Sequence, residues 1–286
     1  MGLPVVSRSR LVNGVSVPSF LYGTAWKEER TEGLVGLALR SGFRGIDTAN
    51  QRRHYVEAAV GTAVAAQPKQ GGPSREEVFL QTKFTFAGGQ DHRIPYDPNL
   101  SPERQVAQSF ESSLEHLGTT YVDSYVLHGP ASSYGLTELD WGAWRAMEDL
   151  NRAGKARLIG VSNVSLQQLV LLEREATVKP SFVQNRCYAS AGWDREIRSF
   201  CAEKGIVYQG FSLLTANGRV LASPALKSIA ERTGHSVTQI AFRFALEVGM
   251  IPLTGTSSEL HMREDLGVFD FELAEQDVQT IERAAG

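Results

Sequence analysis

The chain has 286 residues, of which 42% are hydrophobic and 21% are charged, and its formal net charge at pH 7 is −3. The length suits one large barrel-type domain, residues 1–286, and the composition excludes a disordered or fibrous protein. The balanced charge argues against a nucleic-acid partner. A membrane-spanning protein is excluded because no apolar run reaches the roughly 20 residues that span a bilayer, and two cysteines are too few for a disulfide scaffold. Because the N-terminus also lacks the apolar region of a signal peptide, we expect a soluble, cytoplasmic protein without membrane partners.

Strand-like apolar runs alternate with amphipathic helical patterns along the chain. Asn13-Gly14, between alternating apolar residues, predicts a two-residue β-hairpin before the first run. The eight predicted strands are Phe20–Thr24, Phe43–Asp47, Val78–Lys83, Tyr121–His128, Arg157–Ser162, Phe182–Asn185, Val207–Phe211 and Met250–Thr254. The predicted helices include Thr31–Ser41, Pro102–Leu117, Trp141–Ala153, Leu166–Ala176, Arg195–Lys204 and Val237–Val248.

This alternation predicts an α/β fold, a (β/α)8 TIM barrel with an N-terminal β-hairpin that caps its bottom. A doubly wound open sheet is the competing fold. Its Gly-rich phosphate turn is missing after the first predicted strand, where the sequence reads Tyr22-Gly23-Thr24-Ala25-Trp26. The chain ends at Gly286 directly after the last helical pattern, so we expect a short C-terminus without a tail over the barrel mouth.

Titratable side chains end three consecutive predicted strands. Asp47, Lys83 and His128 come at the C-terminal ends of the second, third and fourth strands, where barrels of this type carry their functional residues. An acid, an amine and an imidazole suit acid–base catalysis, whereas a lysine is a poor neighbour for a cation, so we expect no metal. Each residue has a structural alternative: Asp47 as a helix cap or turn residue, and His128 as a packed core histidine.

Several motifs occur in the order and spacing of one enzyme family. They are the segment 42–49 (GFRGIDTA), Thr82-Lys83, Leu127-His128, Gly160-Val161-Ser162-Asn163, Val183-Gln184-Asn185 and the segment 268–273 (VFDFEL). From about Gly14 to Ile281 the chain resembles the aldo-keto reductases. The resemblance implies a barrel that binds a nicotinamide cofactor, usually NADP(H), and an NADP(H)-dependent oxidoreductase that reduces aldehydes and ketones to alcohols with an Asp-Tyr-Lys-His tetrad.

The tyrosine of that tetrad is not in its usual place. The position five residues after Asp47 is Arg52, and a gapless match counted back from Val60-Gly61 puts His54 there. Tyr55 is the only tyrosine of this lengthened loop, and we predict it as the proton donor, with a surface tyrosine as the alternative.

The predicted tetrad has a physical logic. A phenol titrates near pH ~10, and the Lys83 ammonium should lower that pKa, while Asp47 holds the lysine in place. His128 is expected to orient the carbonyl oxygen toward Tyr55.

The resemblance also assigns a cofactor site. Ser162, Asn163 and Gln184 are implied as partners of the nicotinamide carboxamide, and Phe211 as the ring stacked on the nicotinamide. Further cofactor contacts are expected from Thr24, Asp47, Ser212, Leu214, Thr254, Gly255, Thr256, His261, Arg263 and Asp265. Leu253 stands where the family has a lysine and His261 where it has an arginine, so the preference for NADP(H) should be shallow and NAD(H) can also bind.

The substrate end of the site is less constrained. Trp26, Phe84 and Phe86 are predicted pocket walls, with ordinary barrel packing as the alternative for each. Gly129 follows His128 where many relatives carry a tryptophan, which predicts an open pocket. A small carbonyl compound is the expected partner, in a monomer or weak homo-oligomer. Two alternatives remain: a non-catalytic NADP(H)-sensing regulatory subunit of the same fold, and a barrel isomerase or aldolase that uses Lys83 as a Schiff-base amine.

Overall fold

The N-terminal hairpin forms where the turn sequence predicts it. Strand β1 (Ser9–Val12) pairs antiparallel with β2 (Val15–Pro18), and the two turn residues, Asn13 and Gly14, have φ of 47° and 81°. Positive φ at both central residues is what the tight turn of such a hairpin requires.

The computed structural model describes residues 6–284. Two expectations concern residues outside this range: the absence of a signal peptide at the N-terminus, of which the first five residues are not described, and the short C-terminus at Gly286.

Eight parallel strands close into a barrel in the order β10-β3-β4-β5-β6-β7-β8-β9, which confirms the predicted (β/α)8 fold. Each strand pairs with its sequence neighbour, and β10 closes the ring between β9 and β3. The strands are β3 (Leu21–Gly23), β4 (Gly45–Asp47), β5 (Phe79–Phe84), β6 (Val122–Leu127), β7 (Ala156–Ser162), β8 (Phe182–Arg186), β9 (Val207–Phe211) and β10 (Ile251–Thr254).

The helices lie outside the barrel. They are α1 (Thr31–Ser41), α2 (Glu57–Ala66), α3 (Pro102–Leu117), α4 (Glu138–Arg152), α5 (Leu166–Glu175), α6 (Arg195–Lys204), α7 (Gly218–Leu221), α8 (Pro224–Thr233), α9 (Val237–Glu247), α10 (Glu259–Leu266) and α11 (Glu275–Arg283). Helices α1, α3 and α6 have the predicted bounds. Helix α4 begins three residues earlier than predicted, because Thr137 and Asp140 form a capping box ahead of the apolar pattern. In the part of the chain that the structure describes, no helix is both long and apolar enough to cross a bilayer.

A small apolar cluster closes the bottom of the barrel. Val12 and Val17 of the hairpin pack there against residues of the barrel strands: Leu21, Phe79, Leu158, Phe182 and Ile251. The hairpin therefore covers the end of the barrel opposite the strand ends that carry the polar residues, as predicted. With one end sealed by side chains, a ligand has access from the other end.

Gly61 gives a test of the packing of α2 against α3. A Cβ atom at Gly61 would lie 2.1 Å from the carbonyl oxygen of His116 and 2.7 Å from the Cα of Leu117, both backbone atoms. Overpacking typically costs about 1–3 kcal/mol. We therefore expect Gly61→Ala to lower the free energy of unfolding by an amount near or above the upper end of that range. Gly33→Ala is the matched control, because Gly33 lies in a helix with open space at its Cβ position and alanine should stabilise it by about 0.5–1 kcal/mol. Equal stabilities of the two variants in denaturant titration would contradict the close approach.

Candidate active site

A single large cavity opens at the C-terminal ends of the barrel strands. Its volume is about 1500 Å³, which exceeds the about 300–1,000 Å³ of a site for one drug-sized ligand. Most of the residues predicted for the site line it, namely Trp26, Asp47, Tyr55, His128, Ser162, Asn163, Gln184, Phe211, Ser212, Leu214, Thr254, Gly255, Thr256, His261 and Asp265. Strands β4, β9 and β10 end at Asp47, Phe211 and Thr254, so the barrel topology brings these distant residues to one mouth.

Asp47 and Lys83 form a buried ion pair at the floor of the cavity. Lys83 Nζ donates to Asp47 Oδ1 and Oδ2, each at 2.7 Å, and to the backbone carbonyl of Thr48 at 2.8 Å. These three bonds use all three N–H groups of the ammonium. Burial lowers the pKa of Lys83, and the charge of Asp47 opposes that effect.

Three glutamines inside the barrel form a hydrogen-bonded group next to Asp47. Gln81 and Gln184 each donate from Nε2 to Asp47 Oδ1, at 2.7 Å and 3.0 Å, and both also donate to Oε1 of Gln209. Gln209 returns a bond to Oε1 of Gln81 at 3.0 Å. Sequence reasoning singled out Gln184 but missed Gln81 and Gln209. The detectable signal was an amide at the middle of an otherwise apolar strand.

Tyr55 is brought into the site by a tight turn of the chain. The backbone carbonyl of Gln51 accepts from the backbone N–H groups of His54 and Tyr55. The Gln51 side chain donates from Nε2 to the carbonyl of Gly89 at 2.7 Å. The Tyr55 ring packs at an edge against the His128 ring, with centroids 6.0 Å apart, and Lys83 Nζ lies 5.4 Å from the Tyr55 ring centroid. The structure thus brings Tyr55 together with the other three predicted catalytic residues.

His54, the competing residue in this loop, takes a different position. Its ring packs against the Trp26 ring at a tilt of 38°, with centroids 3.9 Å apart, and its carbonyl accepts from the Trp26 backbone N–H at 2.8 Å. Both side chains line the cavity, and Trp26 is 64% exposed. This pair therefore forms an aromatic wall of the cavity.

The electrostatics differ from the expectation for Tyr55. Burial, and secondarily the Asp47 carboxylate, raise the pKa of Tyr55 well above its ordinary value. The net shift is opposite to the predicted lowering by Lys83, because burial and the Asp47 charge dominate at the Tyr55 hydroxyl. Tyr55 is consequently a neutral phenol at pH 7, which is the protonation state that a proton donor needs.

His128 is held at both its backbone and its ring. Its N–H donates to the carbonyl of Phe84 at 2.8 Å, and its carbonyl accepts from Asn163 Nδ2 at 2.8 Å. Its Nδ1 lies 2.7 Å from the hydroxyl of Thr85. Burial and the nearby Lys83 charge lower the pKa of His128 to about 3, so the imidazole is neutral at pH 7.

The middle of the cavity presents amide oxygens and an aromatic ring. The nitrogens of Asn163 and Gln184 donate to protein groups, and in residues 6–284 no protein donor reaches their side-chain oxygens. These oxygens are thus available to the N–H groups of a carboxamide. Phe211 lies beside them, with the Arg186 guanidinium 5.6 Å from its ring centroid.

Hydroxyls and a lysine line the far end of the cavity. Thr254, Thr256 and His261 lie around the N-terminus of α10, a position that suits a phosphate group. Lys27 also lines this region, and its Nζ donates to the carbonyl of Gly255. Sequence reasoning missed Lys27, a lone lysine in the loop that follows the first barrel strand.

Besides Lys83, which is buried in its ion pair with Asp47, three predicted site residues do not line the cavity. Phe84 is fully buried between Phe86 and Tyr96, because side chains alternate along β5 and the face opposite Lys83 points away from the barrel interior. Thr24 is also fully buried, and its hydroxyl donates to the backbone carbonyl of Asp47. Arg263 is exposed and pairs with Glu259 one helical turn away. The guanidinium that was expected beside a phosphate therefore lies outside the cavity. Phe86, the third predicted wall residue, does line the cavity.

A second buried carboxylate supports the site from behind. Glu57, at the start of α2, accepts from the hydroxyl of Thr82 through Oε1 and pairs through Oε2 with His116 Nδ1 at 3.0 Å. The hydrogen bond to Glu57 raises the pKa of His116. This interaction therefore connects α3 to the strand that carries Lys83.

The raised pKa of His116 predicts a pH-dependent contribution to stability. A group whose pKa is higher in the folded state stabilises fully below its unfolded pKa, near ~6.5, and this stabilisation is lost as the pH rises through the folded value. The loss of unfolding free energy in His116→Gln should therefore be larger at about pH 5 than at about pH 8, because the charged partner exists only at the lower pH. Denaturant titration of both proteins across this range measures it. A deficit that is constant or grows with pH would contradict the pairing.

Comparison with known proteins places these features in one family. The model of the Aldo/keto reductase family matches residues 20–285. This chain belongs to the aldo/keto reductase family. Within residues 6–284, no group of three or more His, Cys, Asp or Glu side chains could hold a metal ion.

Aldo/keto reductase relatives align along nearly the whole chain. The glyoxal reductase of Bacillus subtilis is 33% identical, with 96% of this chain and 91% of the relative covered. The uncharacterized oxidoreductase YtbE of the same bacterium is 32% identical, with 96% of this chain and 92% of that relative covered. A crystal structure of an aldo/keto reductase from Brucella melitensis is 29% identical, covers 99% of both chains and gives a TM-score of 0.82. A Bombyx mori aldo-keto reductase in complex with NADP has the same fold, with a TM-score of 0.82 at 24% identity over 98% and 94% of the two chains.

Proposed function

We propose that this chain is an NADP(H)-dependent reductase that converts aldehydes and ketones to alcohols. The observation that carries the proposal is the convergence of Tyr55, His128 and the Asp47–Lys83 pair at one cavity large enough for a dinucleotide and a small substrate. Family membership agrees with oxidoreductase chemistry. None of the four side chains needs a metal ion for this role.

The chemistry of the cavity lining fits a nicotinamide dinucleotide. Asn163 Oδ1 and Gln184 Oε1 would accept from the carboxamide, the Phe211 ring would pack on the nicotinamide, and Lys27 with the hydroxyls of the far end would hold phosphate. When bound, the nicotinamide supplies the hydride that reduces the carbonyl carbon.

The residues of this chain supply the proton and the orientation. The Tyr55 hydroxyl gives its proton to the carbonyl oxygen as negative charge develops there, and water reaching the cavity returns a proton to Tyr55. The neutral His128 ring hydrogen-bonds the same oxygen and fixes its direction. Asp47 and Lys83 form a rigid, charge-neutral floor under Tyr55.

The Schiff-base alternative fits the geometry poorly. Lys83 is fully buried, and its three N–H donors are bound to Asp47 and Thr48. A carbonyl carbon in the cavity has no path to this nitrogen unless the ion pair breaks. We therefore assign Lys83 an electrostatic and positioning role.

Cofactor binding provides the next prediction. A hydrogen bond to a charged group contributes about 1.5–3 kcal/mol, so Lys27→Met should weaken NADPH binding by about 10- to 150-fold. Arg263→Ala is the matched control and should change the dissociation constant less than about twofold, because Arg263 pairs with Glu259 outside the cavity. Fluorescence titration measures both constants. A larger loss in Arg263→Ala than in Lys27→Met would contradict this placement of the phosphate.

The preference between the two cofactors should be shallow. Lys27 is the one lysine or arginine among the residues that line the far end of the described cavity, and Glu264 and Asp265 add carboxylates nearby. We expect NADPH to bind more tightly than NADH by a modest factor. Stronger NADH binding in the same titrations would overturn the NADP(H) assignment.

Small, reactive carbonyl compounds are the proposed substrates. Gly129 lines the cavity beside His128 without a side chain to narrow it, and a relative is a glyoxal reductase. Oxidation of NADPH with a panel of glyoxal, methylglyoxal and aromatic aldehydes tests the proposal. Turnover of several of them supports a reductase, whereas tight NADPH binding without any turnover would support a regulatory subunit instead.

A further inference from the structure

Thr85 occupies the position directly after β5, next to the catalytic imidazole. Its side chain is buried at the wall of the cavity, and its Oγ1 lies 2.7 Å from His128 Nδ1. Its backbone carbonyl accepts from the Tyr96 hydroxyl at 2.7 Å and from Gln90 Nε2 at 3.3 Å. Two buried side chains thus fix the backbone that carries this hydroxyl.

The hydrogen-bond pattern indicates which atom donates. A neutral imidazole carries one N–H, and the hydrogen bond at one ring nitrogen decides which nitrogen is protonated. In residues 6–284 the Thr85 hydroxyl has no hydrogen-bond partner other than His128 Nδ1. If Nδ1 were the donor, the buried hydroxyl proton would lack a protein acceptor; if the hydroxyl donates, both groups are satisfied.

We propose that Thr85 is a positioning residue that donates its hydroxyl proton to His128 Nδ1 and so holds the ring in the tautomer protonated at Nε2. Nε2 then presents an N–H to the cavity. A carbonyl oxygen can only accept a hydrogen bond, so this tautomer binds a substrate carbonyl and the other would present it with a lone pair. This inference rests on the proposed carbonyl reduction for its functional half.

The surroundings of the ring agree with a fixed neutral tautomer. The pKa of His128 is lowered to about 3 by burial and by Lys83, so protonation does not abolish the distinction between the nitrogens near neutral pH. The hydrogen bonds of the His128 backbone to Phe84 and Asn163 hold the chain from which the ring projects. The contact between Thr85 and Nδ1 is the hydrogen bond made by the ring itself.

The tautomer can be measured directly. We would label the six histidines of the protein with nitrogen-15, record the side-chain spectrum without cofactor, and assign His128 by its absence in His128→Gln. The wild type should show His128 protonated at Nε2. Thr85→Ser, which keeps the hydroxyl, should retain that signature, and Thr85→Val, which is nearly isosteric but lacks it, should lose it. A wild-type ring protonated at Nδ1 would overturn the proposal even if no variant folds.

Kinetics then tests the consequence. Loss of one neutral hydrogen bond predicts that Thr85→Val lowers kcat by about tenfold, with NADPH affinity unchanged and with kcat restored to within about twofold in Thr85→Ser. An unchanged tautomer or an unchanged kcat in Thr85→Val would each contradict the role. Absence of carbonyl reduction in the wild type would instead refute the proposed function, while the spectra would still decide the Thr85–His128 bond.

Discussion

Replacement of Tyr55 with phenylalanine is expected to lower carbonyl reduction by about 100- to 10,000-fold. This range is typical for the loss of a general acid, and the variant removes only the hydroxyl from a ring that packs against His128. Affinity for NADPH should stay near the wild-type value, because the ring itself is preserved. Steady-state kcat with a reactive aldehyde and the NADPH dissociation constant are the two measurements.

His54→Gln is the discriminating control for Tyr55→Phe. Both residues line the cavity in the same turn, but the His54 ring packs against Trp26, whereas the Tyr55 ring packs against His128. We expect the His54 variant to change substrate affinity more than kcat. If His54→Gln abolishes turnover and Tyr55→Phe does not, the proton donor is His54 and the proposed chemistry of this loop is wrong.

Replacement of Lys83 with methionine should cost stability as well as activity. It leaves the Asp47 carboxylate buried without its cation, and breaking a buried ion pair in this way typically costs about 3–5 kcal/mol. Because Gln81 and Gln184 still donate to Asp47, we expect the lower part of that range. Equilibrium unfolding in denaturant measures the loss, and carbonyl reduction should fall with it.

The double variant Asp47→Asn with Lys83→Met separates charge from packing. It leaves neither charge buried, so it should recover much of the stability lost in Lys83→Met while reduction stays impaired. A double variant as unstable as the sum of the two single variants would contradict this account, since the cost would then lie in shape and not in the unpaired charge.

The barrel and most of its site were predictable from local patterns. The Asn13-Gly14 turn, the alternation of apolar runs with amphipathic helices and the polar residues at strand ends all act over short stretches of chain. In a barrel, the topology alone then brings the ends of successive strands together, which is why Asp47, Lys83 and His128 meet although sequence separates them. The roles of these residues remain predictions that the variants above would test.

The misplaced residues share one physical cause, the direction of a side chain. Phe84 lies one position after Lys83 and so points to the opposite face of β5, and Arg263 is drawn to Glu259 within its own helix. Lys27 was overlooked because a lone lysine in a loop carries no periodic signal. Only its contact with Gly255, more than two hundred residues away, shows that it lines the cavity.

The sequence by itself determined the fold class and the hairpin, and it predicted the mouth of the barrel as the place of the chemistry, because turn propensity and hydrophobic period are local properties. Tertiary structure alone decided which residue of the 50–57 loop faces His128, how Thr85 meets the imidazole, and that Asp47 and Lys83 form a buried ion pair. Those outcomes depend on distances between atoms far apart in the chain. The protonation state of Tyr55 depends on them too, because burial and neighbouring charge set its pKa.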